Sequence, residues 1–209
     1  MPTTTVVHLL RHGEVYNPNK VLYGRLPGYQ LSERGRAMAE LAAKWLVDEA
    51  GGAGAPTAVF SSPLERAQET AQPLTAATGL SVGIDERLVE AGNSFEGESV
   101  TPREMLTNPA MWRRIYNPLR PSWGEPYPQI RDRMVAAVKD VRRQAWGGVA
   151  VCVSHQLPIW TTRRAAEGRP LWHRPDRRQC SLASVTTLTF EDQRLLSVGY
   201  SEPAAQLYA

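Results

Sequence analysis

The sequence predicts an α/β fold of three layers, with helices on both faces of a mostly parallel central sheet that includes an antiparallel strand. Three observations point to it. The runs "VVHLL" (6–10) and "GVAVCV" (148–153) have the apolar composition of short strands covered on both faces. Segments with helical periodicity alternate with the strands. The chain then closes on "SLASVTTLTF" (181–190) and "RLLSVGY" (194–200), a strand pair separated by three polar residues and expected to run at least partly antiparallel to the rest.

The elements follow in order. After the first strand, Ser32 is placed to cap a helix whose Met38, Leu41, Ala42, Trp45 and Leu46 form one apolar stripe, and "GGAGAP" (51–56) ends it. "TAVF" (57–60) reads as the second strand. In "SSPLERAQET" (61–70), Ser62 has the position of an N-cap, Pro63 of the first helical residue and Glu65 of a capping-box partner. A short strand and a polar loop are expected over 82–97. An irregular insertion over about 98–128 is expected to cover the site, since residues 101–128 hold six of the sixteen prolines. A helix resumes near Gln129 with Ile130, Met134, Val138 and Val141 on one face. "LPIWTTRRAAEG" (157–168) reads as the helix that follows the strand at 148–153.

A chain of 209 residues with no composition break predicts one domain, 1–209. Its start lacks the features of a secretory signal and no stretch is long and apolar enough to span a bilayer, so a soluble, cytoplasmic protein with no membrane partner is expected. Cys152 and Cys180 form neither a disulfide framework nor a paired metal-ligand motif. The balance of 24 basic against 21 acidic residues gives a net charge of +3, which does not imply a nucleic-acid partner. Six arginines do gather in 163–178, but without the interleaved exposed aromatics of a nucleic-acid surface.

In a mostly parallel sheet, ligands bind beyond the carboxyl ends of the strands. Arg11-His12-Gly13 follows the first strand, Arg66 the second and Ser154-His155 the strand at 148–153, so one topological rule gathers two arginines and two histidines. Guanidinium forks suit phosphate oxygens, and an imidazole beside them serves as nucleophile or base. His8 and His12 have a spacing that joins two metal ligands on a helix, but here they lie on a strand, so no metal and no cofactor is expected. His8 is expected to be a packed strand residue and His173 a surface one.

"LLRHGE", "SSPLERAQET", "DERLVEAG" and "VSHQLPI" appear in the order seen in the histidine phosphatase superfamily, which also contains the phosphoglycerate mutases, and the resemblance covers most of the chain. It implies a phosphoglycerate mutase-like fold and a phosphomonoester hydrolase acting on a small phosphorylated substrate. By the same resemblance His12 is the nucleophile that becomes phosphorylated, Arg11, Arg66 and His155 form the phosphate pocket, and Glu90 is the proton donor, with Glu86 and Glu96 as alternatives. Asn17, Tyr23, Gly24 and Gln156 are implied to lie near substrate.

The chain departs from the family pattern in places. Asn17 comes five residues after His12 where six is common, Gln156 replaces a glycine, and Ser94 stands where a glycine is usual, with Glu96-Gly97 one residue early. Arg113-Arg114 resembles the arginine pair of cofactor-dependent mutases, which keeps a mutase as the alternative and makes Arg113 a candidate substrate residue. The tyrosine and lysine expected beside that pair in a mutase are missing: Asn93 takes the tyrosine position and "SFEGESVTP" contains no lysine. A non-catalytic binder of phosphorylated ligands is the remaining reading.

Overall fold

The computed structural model describes residues 2–48, 54–99 and 124–208. Six strands, β1 (Thr4–Arg11), β2 (Ala58–Ser61), β3 (Val82–Ile84), β4 (Val149–Ser154), β5 (Val185–Glu191) and β6 (Arg194–Ser201), form one sheet in the order β3-β2-β4-β1-β5-β6. The pairs β3-β2, β2-β4 and β4-β1 are parallel, and β5 is antiparallel to both neighbours. The α/β expectation, with its mostly parallel sheet and one antiparallel strand, therefore holds.

Side-chain alternation along the central strands builds the layers. On one face Val7, Leu9, Ala150, Cys152 and Leu188 pack with residues of α3 (Tyr127–Gln144) and α4 (Gln156–Ala166), including Ile130, Met134, Val138, Val141 and Ile159. On the other, Leu10, Val59, Val151, Val153 and Val185 meet α1 (Glu33–Asp48) and α2 (Glu65–Thr78) through Met38, Ala42, Leu46, Ala67 and Leu74. All six residues of β4 are buried, as its apolar run predicted.

Three local expectations shift. The Ser32 hydroxyl accepts from the Gly35 amide at 2.9 Å and so caps α1, but α2 begins at Glu65 behind Leu64 with no side-chain cap, not at Pro63 behind Ser62. The reason is competition: Ser62 Oγ is engaged with His155 Nε2 at 2.8 Å, and Glu65 Oε1 accepts from the Gly28 amide at 3.1 Å. Residues 181–184 are a turn rather than the start of β5, with Ala183 at φ 51°. This turn folds over the end of β1, where the Arg11 amide donates to Ser184 O and the Ala183 amide to His12 O. Finally, α3 starts at Tyr127, two residues before Gln129, with Pro128 in its first turn, where the absent N–H is not missed. Most of the insertion expected over 98–128 lies outside the described residues.

Candidate active site

Sheet register brings the sequence motifs together. Arg11 pairs with Ser154 across β1-β4 and Ser61 with Val153 across β2-β4, so His12, Ser62 and His155 leave the carboxyl ends of three adjacent parallel strands. The His12 amide donates to Ser154 O at 3.1 Å and the Ser62 amide to Val153 O at 2.9 Å, carrying the strand order one residue beyond the sheet. The loop after β3 is drawn over the same edge by Ser154, whose hydroxyl donates to Leu88 O at 2.6 Å and so positions Glu90 two residues on.

His12 is 2% exposed, and its Nδ1 lies 2.7 Å from Gly13 O. A carbonyl can only accept, so Nδ1 carries the proton and Nε2 keeps its lone pair. Burial, then the charges of Arg11 and Arg66, hold the ring well below the usual histidine range, so it is neutral at pH 7. The His155 ring is 5.1 Å away and is depressed for the same main reason, burial. Gly13 is required for packing rather than for an unusual φ: a Cβ there would lie 2.4 Å from Gly35 O at the start of α1. Its amide is held by Thr70 Oγ1 at 3.1 Å.

Arg66 is fully buried on the first turn of α2. Its Nη2 donates to Gly24 O at 2.6 Å and its guanidinium lies 4.8 Å from the Tyr23 ring centroid, which fixes the plane of the fork. Arg11 Nη1 donates to Cys180 O at 2.6 Å. Among the described residues, Arg11 Nε, Arg66 Nε and Nη1, and His155 Nδ1 are buried without a partner. Buried donors normally find acceptors, so a cluster of unpartnered ones beside a neutral imidazole is suited to an anion with several oxygens.

Burial pushes the Glu90 carboxyl above the ordinary range, against the opposing pull of the Ala91 amide and the charges of Arg66, Arg11 and Arg178. The alternatives are differently placed. Glu86 is exposed on a 3-10 turn (Glu86–Leu88), and Glu96 Oε1 accepts from the Asn93 amide at 3.2 Å. Glu96 also packs against Gly24, where a Cβ would come within 2.3 Å of Oε1 at a φ of +40°. A cavity of about 460 Å³ lined by Arg25, Asn93, Ser94, Glu125 and Gln129 opens beside this loop.

The remaining sequence candidates divide. Tyr23 and Gly24 adjoin Arg66, and Gln156 lies beside Arg11 through a shared acceptor, Cys180 O, at 3.4 Å. The Asn17 side chain is occupied in closing its own loop, donating to Val21 O at 2.7 Å and accepting from the Val21 amide at 3.0 Å. Arg113 and Arg114 lie outside the described residues. His8 packs inside the sheet as expected, 2.9 Å from Thr187 Oγ1. His173 does not lie on the surface: it is 7% exposed, enclosed by Tyr127 and Trp160, whose ring centroids are 5.2 and 6.0 Å away. Within the basic stretch three of the six arginines are ion-paired among the described residues, Arg163 and Arg169 on Glu167 and Arg174 on Asp176.

Sequence reasoning missed Thr70, and it read Ser62 only as a cap and not as the partner of His155. Thr70 stands four residues after Arg66, one helical turn on, and its hydroxyl lies 2.7 Å from Arg66 O, a spacing that was available in "ERAQET". Among the described residues no group of three or more His, Cys, Asp or Glu is placed to hold a metal ion, and no helix is long and apolar enough to cross a membrane.

Comparison with known proteins identifies a matching family, similar sequences and similar folds. The family model described as histidine phosphatase superfamily (branch 1) matches residues 7–202. A Mycobacterium tuberculosis (strain H37Rv) protein named Uncharacterized protein Rv0525 is 50% identical over 206 residues, covering 98% of this chain and all of its own length. Phosphoserine phosphatase 1 of Hydrogenobacter thermophilus is 30% identical over 158 residues, 72% of this chain and 71% of the other. Among solved structures, the mycobacterial glucosyl-3-phosphoglycerate phosphatase Rv2419c superposes with a TM-score of 0.71 at 28% identity, covering 89% of this chain and 90% of that one.

Proposed function

The chain belongs to the histidine phosphatase superfamily, and from that premise we propose that it is a single-domain hydrolase of small phosphomonoesters that works through a phosphohistidine on His12. The observation that carries the reading is the state of His12: a buried, neutral ring whose Nδ1 is tied to Gly13 O, leaving Nε2 available beside two arginines with unpartnered donors.

In the first step the Nε2 lone pair attacks phosphorus and the bond from phosphorus to the ester oxygen breaks. Arg11, Arg66 and His155 hold the charge on the equatorial oxygens. Glu90, kept protonated more readily by burial, gives its proton to the departing alkoxide. In the second step the Glu90 carboxylate takes a proton from water as that water attacks the phosphohistidine, releasing inorganic phosphate and restoring neutral His12. Positive charge for both steps comes from side chains, which supports a metal-independent reaction. The buried free thiols of Cys152 and Cys180 suit a reducing compartment such as the cytoplasm.

The test is phosphate release from a panel of phosphorylated sugars, glycerates, nucleotides and phosphopeptides. With 3-phosphoglycerate and catalytic 2,3-bisphosphoglycerate, hydrolysis of some phosphoester in the panel should exceed isomerisation. Rapid formation of 2-phosphoglycerate with little free phosphate, collapsing in Arg113→Ala, would establish the mutase instead.

A further inference from the structure

Glu90 sits on a loop whose main chain is held from three directions. Arg133 Nη1, on α3, donates to Arg87 O at 2.5 Å, and the Ser154 hydroxyl, at the end of β4, donates to Leu88 O at 2.6 Å. Arg25 Nε, on the loop between β1 and α1, donates to Glu90 O at 2.6 Å. All three acceptors are carbonyls, so these bonds fix the path of the backbone without engaging the carboxyl group.

The two arginines act as one unit through Glu125. Its carboxylate receives Nε and Nη2 of Arg133, at 2.8 and 2.9 Å, and its Oε2 also accepts from Arg25 Nη2 at 2.9 Å. The Arg133 and Glu125 side chains are only 16% and 14% exposed, and a bidentate pair of this kind fixes direction as well as distance. The Glu125 amide is tied to the same loop, donating to Gly92 O at 3.0 Å, and Gly124 forms a β-bridge with Asn93. The Arg25 side chain is 40% exposed, so its ion pair with Glu125 adds little to stability. What Arg25 supplies is a fixed position for Glu90 O.

The residue before it shows what that position is measured against. Gly24 O accepts from Arg66 Nη2 at 2.6 Å. The Gly24-Arg25 step therefore touches Arg66 with its first residue and the Glu90 loop with its second, and spans the gap between them. A proton donor has to meet the ester oxygen of a phosphoryl group held by Arg66, and a misplacement of about 1 Å can cost about 10²-fold in rate. We propose that Arg25 is a positioning residue that holds Glu90 in register with the phosphate pocket, backed by Glu125 and Arg133. It acts through the Glu90 main chain. This inference rests on the reading of Glu90 as proton donor above and deepens it.

The experiment measures single-turnover formation of phosphohistidine from p-nitrophenyl phosphate, whose leaving group needs no proton, and from the alkyl phosphate of the panel above that reacts fastest. Arg25→Ala should slow the alkyl phosphate about tenfold more than the nitrophenyl ester, a part of the about 10²–10⁴-fold that general acid assistance is typically worth. Arg25→Lys keeps the charge but not the fork that serves Glu90 O and Glu125 together, so its selective loss should be smaller. In Glu90→Gln the selective loss is already complete, so adding Arg25→Ala should leave the ratio of the two rates unchanged. A merely structural role would slow both substrates alike and would add to Glu90→Gln. Cooperative thermal melting and retained inhibition by vanadate identify folded variants, and if Arg25→Ala does not fold, Arg25→Lys carries the comparison. Equal slowing of both substrates, no slowing, or a further change of ratio in the double variant would overturn the role of Arg25 and leave Glu90 as the acid. Equal losses in Glu90→Gln itself, or absence of phosphohistidine with every phosphoester tried, would instead overturn the underlying reading, and this inference with it.

Discussion

The rings of His12 and His155 stand 5.1 Å apart at a tilt of 58°, each buried and each held below the usual histidine range. Two imidazoles this close could not both be charged without strong repulsion, and the neighbouring Arg11 and Arg66 add to that cost. Both are therefore neutral where a nucleophile is needed.

The expected consequence is seen by following the ring protons of the two histidines by NMR as pH falls. Because their pKa values are lowered, each should stay neutral as pH drops through 6.5, and each should titrate only at clearly lower pH. Arg66→Ala removes one depressing charge, so the His12 transition should move upward. A midpoint at or above 6.5 for His12 in the native protein would contradict the electrostatic account.

Glu90 is assigned to protonate the departing alkoxide. A nitrophenolate leaves without help, so Glu90→Gln should slow phosphorylation by an alkyl phosphate far more than by p-nitrophenyl phosphate. General acid assistance is typically worth about 10²–10⁴-fold, and the difference should approach that range in single-turnover rates of phosphohistidine formation. Equal losses for both substrates would transfer the acid role to Glu86 or Glu96.

Gly13 and Gly35 predict a packing defect. Alanine at 13 would put its Cβ 2.4 Å from Gly35 O, and alanine at 35 would meet Glu14 O at 2.0 Å. Both contacts are to backbone, so relief requires α1 to move away from the end of β1. Overpacking of this kind costs about 1–3 kcal/mol, to be read from urea unfolding. Gly13→Ala should in addition lower activity more than Gly35→Ala, since it also displaces the carbonyl that fixes the His12 tautomer. Unchanged stability in both variants would contradict the close approach.

His8 predicts an acid limit to stability. Burial lowers it to about 4. A group whose folded value is depressed contributes stability that is present above its unfolded value of about 6.5 and is lost as pH falls towards 4. The full loss amounts to about 3 kcal/mol. His173, also lowered to about 4 by burial, adds in the same sense. Unfolding free energy measured between pH 7 and pH 4 should therefore fall less steeply in His8→Gln than in the native protein.

The gathering of the candidate residues at one sheet edge was legible in the sequence through topology: once "VVHLL" and "GVAVCV" are neighbouring parallel strands, Arg11, His12, Ser154 and His155 meet. The register Arg11 to Ser154 is the physical form of that argument. The start of α2 was misplaced because Ser62 has the composition of a cap, while its actual partner, His155, lies 93 residues away. His173 was read as a surface residue, yet it is buried by Tyr127 and Trp160, which come from α3 and α4. Local sequence carries no record of such distant neighbours. The turn at 181–184 was hidden for a similar reason, since "SLAS" runs directly into the strand-like "VTTLTF" and is bent by hydrogen bonds with Arg11 and His12.

The account as a whole depends on a bond between phosphorus and His12 Nε2, and trapping it is the most direct measurement. A reaction with labelled phosphoester should be quenched in alkali, where phosphohistidine survives, and the labelled residue located in native protein, His12→Ala and His155→Ala. The account predicts acid-labile, alkali-stable label on His12 in the native protein, none in His12→Ala, and a reduced but detectable amount on His12 in His155→Ala. Full labelling of His12→Ala, or label that survives acid, would contradict it.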